Sequence, residues 1–159
     1  MMKQSIFDGG IIITRIYLDN CCFNRPYDDQ RFLRIYFESQ AKIHVQEMIR
    51  DGRLQLVTSY ILSYENSCNP FTVRRKTIEK FLRTYSSYHV GADKAGKIKH
   101  IADSVMSCGV KMKDAYHIAC ALEAECKYFL STDDRLLKKY NSEKMLLLNP
   151  VDFVMLEDE

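Results

Sequence analysis

Residues 11–18 run Ile11-Ile12-Ile13-Thr14-Arg15-Ile16-Tyr17-Leu18 and close on Asp19. The stretch is β-branched and apolar, with little of the polar alternation that a half-solvated strand shows. It reads as a strand buried on both faces, which is the habit of a parallel sheet. Outward from it, Asn24-Arg25-Pro26 marks a loop, and Asp28 or Asp29 can cap a helix running to about Arg50, where Gly52 supplies a stop. Leu54–Thr58 is a second strand, and Thr58 or Ser59 can cap the helix that carries Tyr60 to about Ser67. Asn69-Pro70 breaks that helix, and another follows from about Phe71 to Tyr85. Ile98, Ile101, Ala102 and Val105 keep helical spacing within 92–108, ended by Gly109. Lys113–Cys126 is a further helix, Tyr128–Leu130 a strand, Asp134–Tyr140 a short helix and Met145–Leu148 a last strand. Strand–helix alternation of this kind predicts an α/β domain, three layers deep, with a mostly parallel sheet covered on both faces.

The 159 residues suit one domain, expected over 1–159, with 1–10 as a loose extension because Gly9-Gly10 breaks structure there. Apolar residues make up 47% of the chain, enough for one core, and no apolar run approaches the roughly 20 residues that span a bilayer. The N-terminus lacks the apolar stretch of a secretory signal. The six cysteines include no C-x-x-C pair, so reduced thiols in a cytoplasm are expected rather than a disulfide framework or a zinc site. Lys and Arg (23) nearly balance Asp and Glu (21), so bulk charge selects no partner, and electrostatic recognition must come from local clusters.

In a parallel sheet ligands gather beyond the C-terminal ends of the strands. Asp19 follows the first strand, Glu65 lies one to two helical turns after the second, Asp114 opens the helix Lys113–Cys126, and Asp133 and Asp134 follow Leu130. Right-handed crossovers bring these neighbourhoods to one edge. Any one such Asp is more often a cap or turn former than a ligand. Several carboxylates sharing an edge repel one another unless a cation sits among them or some take up protons. All-oxygen donors favour Mg²⁺ or Mn²⁺, and the chemistry implied is phosphodiester hydrolysis.

The segments Tyr17-Leu18-Asp19-Asn20, Ser63-Tyr64-Glu65-Asn66, Lys113–Ala121 and Phe129–Leu137 resemble the ordered motifs of PIN domains, over about residues 15–150. The Asp-Ala-x-x-Ile-Ala core at Asp114 and the Leu-x-Thr-x-Asp stretch after it are the most specific pieces. The resemblance implies a Rossmann-like sheet and a Mg²⁺- or Mn²⁺-dependent endoribonuclease. Many bacterial members are VapC toxins paired with a small antitoxin. Position by position it makes Asp19, Glu65, Asp114 and Asp134 the metal-binding, catalytic acids, with Thr132 the hydroxyl of the Thr-x-Asp turn. The chain departs from the pattern at Cys21, where many members carry Ser, Thr or Asn; Asn20 stands one residue earlier.

Helix physics gives Asp133 a different task, the N-cap of the helix that follows. Arg25, Lys111, Lys113 and Arg135 are the cations best placed to meet RNA phosphates around the acids. His117, one helical turn after Asp114, reads first as a histidine packed at a helix–loop boundary and second as a site residue. Phe32, Tyr36 and Phe37 have the spacing of a packed helix face, in the core or at a homodimer contact, ahead of base stacking. Against the nuclease stands a PIN-like module that holds RNA or a protein without significant catalysis; the complete acidic set counts against it. A receiver or aspartyl-phosphatase domain is disfavoured by the lone Asp19, without Asp-x-Asp, and by the lack of a C-terminal strand-end Lys-Pro.

Overall fold

The computed structural model describes residues 6–7, 10–11 and 14–158. The elements in chain order are β1 (Ile6–Phe7), β2 (Gly10–Ile11), β3 (Thr14–Leu18), α1 (Asn20–Asn24), a 3-10 turn (Arg25–Tyr27), α2 (Leu33–Arg50), β4 (Leu54–Ser59), α3 (Tyr60–Ser67), α4 (Thr72–Tyr85) and β5 (Ser86–Val90). A second 3-10 turn (Ala92–Lys94) leads to α5 (Ala95–Met106), α6 (Met112–Glu123), β6 (Tyr128–Leu130), α7 (Asp134–Lys139), β7 (Leu146–Leu148) and α8 (Pro150–Glu157).

The main sheet has the order β5-β4-β3-β6-β7, and every pair in it is parallel. Helices flank it in a three-layer α/β arrangement, the class the strand–helix alternation predicts. The central strand is β3, whose Ile16, Tyr17 and Leu18 are all fully buried. A strand covered on both faces has no side for polar residues, which is why its sequence does not alternate. Its register pairs Tyr17 with Val57 of β4 and with Phe129 of β6. Asp19, the next residue after β3, therefore leaves the sheet at its middle, and its N–H donates to the Leu130 carbonyl at 2.9 Å.

Helix ends follow the sequence in part. Gly52 and Gly109 adopt φ of +75° and +90°, the left-handed region where a side chain is strained, beyond the ends of α2 and α5. Ser59 caps α3 by accepting the Leu62 N–H at 3.0 Å. The start of α2 differs from expectation. Neither Asp28 nor Asp29 caps it; the helix opens at Leu33 with Phe32 at the cap position and no side-chain cap. Asp28 instead closes the 3-10 turn, and Asp29 bonds Arg31 through two guanidinium nitrogens and its backbone N–H.

Within 1–10, Ile6–Phe7 and Gly10 take part in a two-stranded antiparallel pair with Ile11 rather than a wholly loose extension; the rest of that segment lies outside the described residues. Phe32, Tyr36 and Phe37 are exposed, so the packed-core reading of that face does not hold. The α1, β5 and α8 elements had no counterpart in the sequence reading. No helix of the described residues is long and apolar enough to cross a membrane.

Candidate active site

Asp19 is the anchor of the site. It is the N-cap of α1, extended at ψ 152°, and its Oδ1 accepts the Asn20 N–H at 2.8 Å. Only 6% of it is exposed. Its Oδ2 accepts from Ser131 Oγ at 3.1 Å and, more weakly, from Cys21 Sγ at 3.5 Å. Ser131 is fully buried, and its hydroxyl also accepts the Asp133 N–H at 3.1 Å. The hydroxyl that supports the first acid is thus Ser131, one residue before Thr132. The Thr132 contacts are main-chain ones: its N–H meets Cys21 Sγ at 3.4 Å, and its carbonyl accepts from Arg34 at 3.3 Å. The local signal for Ser131 is its place directly after β6, one residue before the Thr-x-Asp turn.

Glu65 reaches the same edge from α3. Its Oε1 receives Asn20 Nδ2 at 3.1 Å and Lys113 Nζ at 3.2 Å, and its Oε2 lies 2.6 Å from His117 Nε2. The same imidazole nitrogen stands 3.9 Å from Asp19 Oδ1. Asn20 bonds Asp19 through its backbone and Glu65 through its side chain, so these two acids share two bridging residues. Burial disfavours the Glu65 carboxylate, yet the hydrogen bond and charge of His117, then Lys113, outweigh it and hold the carboxyl below its ordinary value. His117 has no exposed surface and belongs to the site as well as to the core.

Asp114 lies in the first turn of α6, half-buried. Burial raises its carboxyl above the usual range, and the charges of Asp19 and Asp133 raise it further, against smaller opposing effects of His117 and Lys113. The charges of Asp19 and Asp133 thus both bear on Asp114. Asp133 accepts the Arg135 and Leu136 N–H groups at 3.0 and 3.4 Å, so it is the N-cap of α7 and also the acid of its pair whose charge bears on Asp114.

Asp134 lines the same groove and is paired with an arginine. Its Oδ2 is 2.7 Å from Arg34 Nη1, its side chain is half exposed, and that hydrogen bond holds its carboxyl below the ordinary value. Arg34 itself went unnoticed in the sequence because it lies 100 residues away from Asp134 and no local motif marks it.

An open groove of about 620 Å³ runs beside these acids, lined by Asp114, Asp133 and Asp134 and by Lys111, Arg135 and Lys139. Asp19 and Glu65 are not among its lining residues. Lys113 is committed to Glu65, and Arg25, although it lines the groove, is committed to Glu38 at 2.8 Å and Asp28 at 3.3 Å. Lys111 and Arg135 have no acidic side-chain partner among the described residues. Phe32, largely exposed, also lines the groove. Among the described residues no three His, Cys, Asp or Glu side chains stand together as a ready-made metal cage.

The fold is an all-parallel α/β sheet flanked by helices, with Asp19 directly after its central strand. Particular structures share it. The chain is similar to FitAcB from Neisseria gonorrhoeae at a TM-score of 0.54 and 14% identity, over 85% of this chain and 97% of the other. It is similar to VapBC2 from Rickettsia felis, solved bound to a DNA fragment from the promoter, at a TM-score of 0.53 and 11% identity, over 86% and 98%. A structure of FitAB bound to an IR36 DNA fragment gives 0.55 and 15%, over 86% and 95%. At such identities the likeness is one of fold. No family model and no curated protein matches the chain.

Proposed function

We propose that the protein is a metal-dependent endoribonuclease and acts as the toxin of a toxin–antitoxin pair. The observation that carries the reading is that Asp19 and Glu65, from separate segments, meet at one sheet edge through the shared partners Asn20 and His117, with Asp114 near enough for the Asp19 charge to raise its carboxyl. The VapBC-type fold supports the toxin half of the reading, and a small antitoxin is the partner it implies. A homodimer through the exposed face at Phe32, Tyr36 and Phe37 is compatible with it.

The donors fit a hard divalent cation. Mg²⁺ is commonly held by one or two carboxylates, with water and substrate phosphate completing its shell, so a preformed cage is not required. Asp114, raised by burial and by its acidic neighbours, is the kind of group a cation would relieve. Asp19 and Asp114 would hold Mg²⁺ or Mn²⁺, with Asp133, in place of Asp134, as the further acid. When bound, the ion would lower the pKa of a water and offset charge building on a phosphate oxygen. The protein's own part is to fix these acids through Ser131, Asn20 and His117, and to offer Lys111 and Arg135 to the RNA phosphates. Single-stranded or loop RNA is the expected substrate, because its backbone and bases are accessible where a duplex hides them.

The test is cleavage of structured and unstructured RNA with Mn²⁺, with and without chelator. Cleavage lost in chelator and in Asp19→Asn supports the reading. RNA binding without cleavage under every condition would instead favour a PIN-like binding module.

A further inference from the structure

A circuit of buried hydrogen bonds begins and ends on α3. The Leu62 N–H donates to Ser59 Oγ at 3.0 Å. Ser59 Oγ lies 2.7 Å from Tyr17 Oη, Tyr17 Oη 2.6 Å from His117 Nδ1, and His117 Nε2 2.6 Å from Glu65 Oε2. Ser59, Tyr17 and His117 have no exposed surface, so bulk water does not reach the Ser59–Tyr17 and Tyr17–His117 bonds. Four elements are tied in one loop: β4, whose last residue Ser59 caps α3, the central strand β3, helix α6, and α3 itself through Glu65.

Counting hydrogens gives the circuit a direction. The Glu65 carboxylate can only accept, so Nε2 carries the hydrogen between them. In the Nε2–H tautomer Nδ1 is a bare acceptor and the Tyr17 O–H donates to it, whereas in an imidazolium both nitrogens donate and Nε2–H still faces Glu65. The Tyr17 oxygen can accept from Ser59, whose own oxygen already takes the Leu62 N–H. In that tautomer every hydrogen points toward Glu65, and chains aligned in this way strengthen one another. Tyr17 is itself fixed, stacked on Phe129 at 5.5 Å and edge-on to His117 at 5.7 Å.

A histidine with a purely structural role need only satisfy its nitrogens. Here one nitrogen is spent on a phenol that locks the ring, and the other on the half-buried acid of the candidate site. We infer that His117 is a positioning residue, oriented by Tyr17 and Ser59, that holds the Glu65 carboxylate beside Asp19 by donating its Nε2–H. Its consequence for catalysis rests on the nuclease reading; the hydrogen-bond geometry does not.

NMR of the full chain with isotope-labelled histidine tests the geometry directly. A hydrogen on His117 Nε2 is expected, and a hydrogen on Nδ1 with Nε2 bare overturns the inference. Kinetics test the consequence, using Mn²⁺ and an RNA oligonucleotide and expressing rates per folded molecule. Supporting residues of metal sites cost about 10–100-fold when removed. His117→Leu is expected to lose kcat in that range with KM near wild type. His117→Gln, whose amide can donate from near the Nε2 position, should recover most of it. Tyr17→Phe, which keeps the ring, should fall between and remain folded even if the leucine variant does not. Unchanged kcat in Tyr17→Phe, or a glutamine variant no better than leucine, would overturn the positioning role. A wild-type chain that cleaves no RNA would defeat the nuclease reading, while the NMR result would still decide the circuit.

Discussion

Asp114 and its neighbours set the character of the site residue by residue. A carboxyl raised in the folded chain is stabilised in its protonated form, so its favourable contribution is complete below the unfolded pKa and is lost as pH rises through the folded pKa. At neutral pH, without metal, the ionised Asp114 is therefore a liability. Asp114→Asn should melt higher than wild type at pH 7 and lose that advantage as the pH is taken down into the acid range. Thermal melts across pH in chelator check this, and a variant that melts lower at neutral pH would show Asp114 to be a structural cap. The same variant should lose about 100-fold or more of any cleavage activity, beyond the 10–100-fold typical of supporting residues. The adjacent acids separate equally cleanly. Asp133→Asn keeps a good N-cap but removes the charge that faces Asp114, so activity should fall at least about tenfold with melting little changed. Asp134→Asn breaks only an exposed pair with Arg34, worth about 0–1 kcal/mol, and activity should stay near wild type. Parallel rate and melting measurements on the two variants decide between them; the opposite pattern would return the ligand role to Asp134.

Elements are joined by a buried acid of another kind. Glu38 on α2 is almost fully buried and meets Arg25 at 2.8 Å, Arg34 at 3.5 Å and Asn149 Nδ2. Asn149 is also the N-cap of α8, accepting the Val151 N–H at 2.9 Å. One carboxylate thus ties the 3-10 turn after α1, helix α2 and helix α8. Arg25→Ala would leave Glu38 buried with weaker partners. Stability should fall on the order of 3 kcal/mol, the lower end for an orphaned buried charge because Asn149 and Arg34 remain. Denaturant melts measure it. RNA affinity should change less than with Lys111→Ala, whose amine has no acidic partner among the described residues. The reverse ranking would restore Arg25 as a phosphate contact.

For the whole molecule the decisive test is metal binding to the folded chain. A ligand that binds only the native state adds about 2.7 kcal/mol at a hundredfold excess over Kd. For a chain of this length that corresponds to roughly 5–10 °C in Tm. Mg²⁺ or Mn²⁺ should raise Tm by this order, a chelator should reverse it, and Asp19→Asn should abolish it. No shift with either ion at millimolar levels would remove the metal from the proposed chemistry.

The sequence by itself determined the parallel α/β class, because a strand covered on both faces must be apolar without alternation, as Ile16-Tyr17-Leu18 is. Backbone rules local to a few residues made Gly52, Gly109, Ser59 and the Asp133 cap readable. Asn149-Pro150 carried an equally local helix start for α8 that went unused. Strand β5 was hidden because Ser86-Ser87-Tyr88-His89-Val90 is short and polar, and an edge strand is held by one neighbour, β4, rather than by burial on both sides. The candidate acids were nameable from the chain; their partners were not. That Arg34 takes up Asp134, that Ser131 and not Thr132 supports Asp19, and that His117 bridges Tyr17 to Glu65 were decided by contacts between residues up to 112 positions apart. Periodicity and capping act within a turn or two of chain, whereas a hydrogen bond between segments exists only once the sheet has fixed their register.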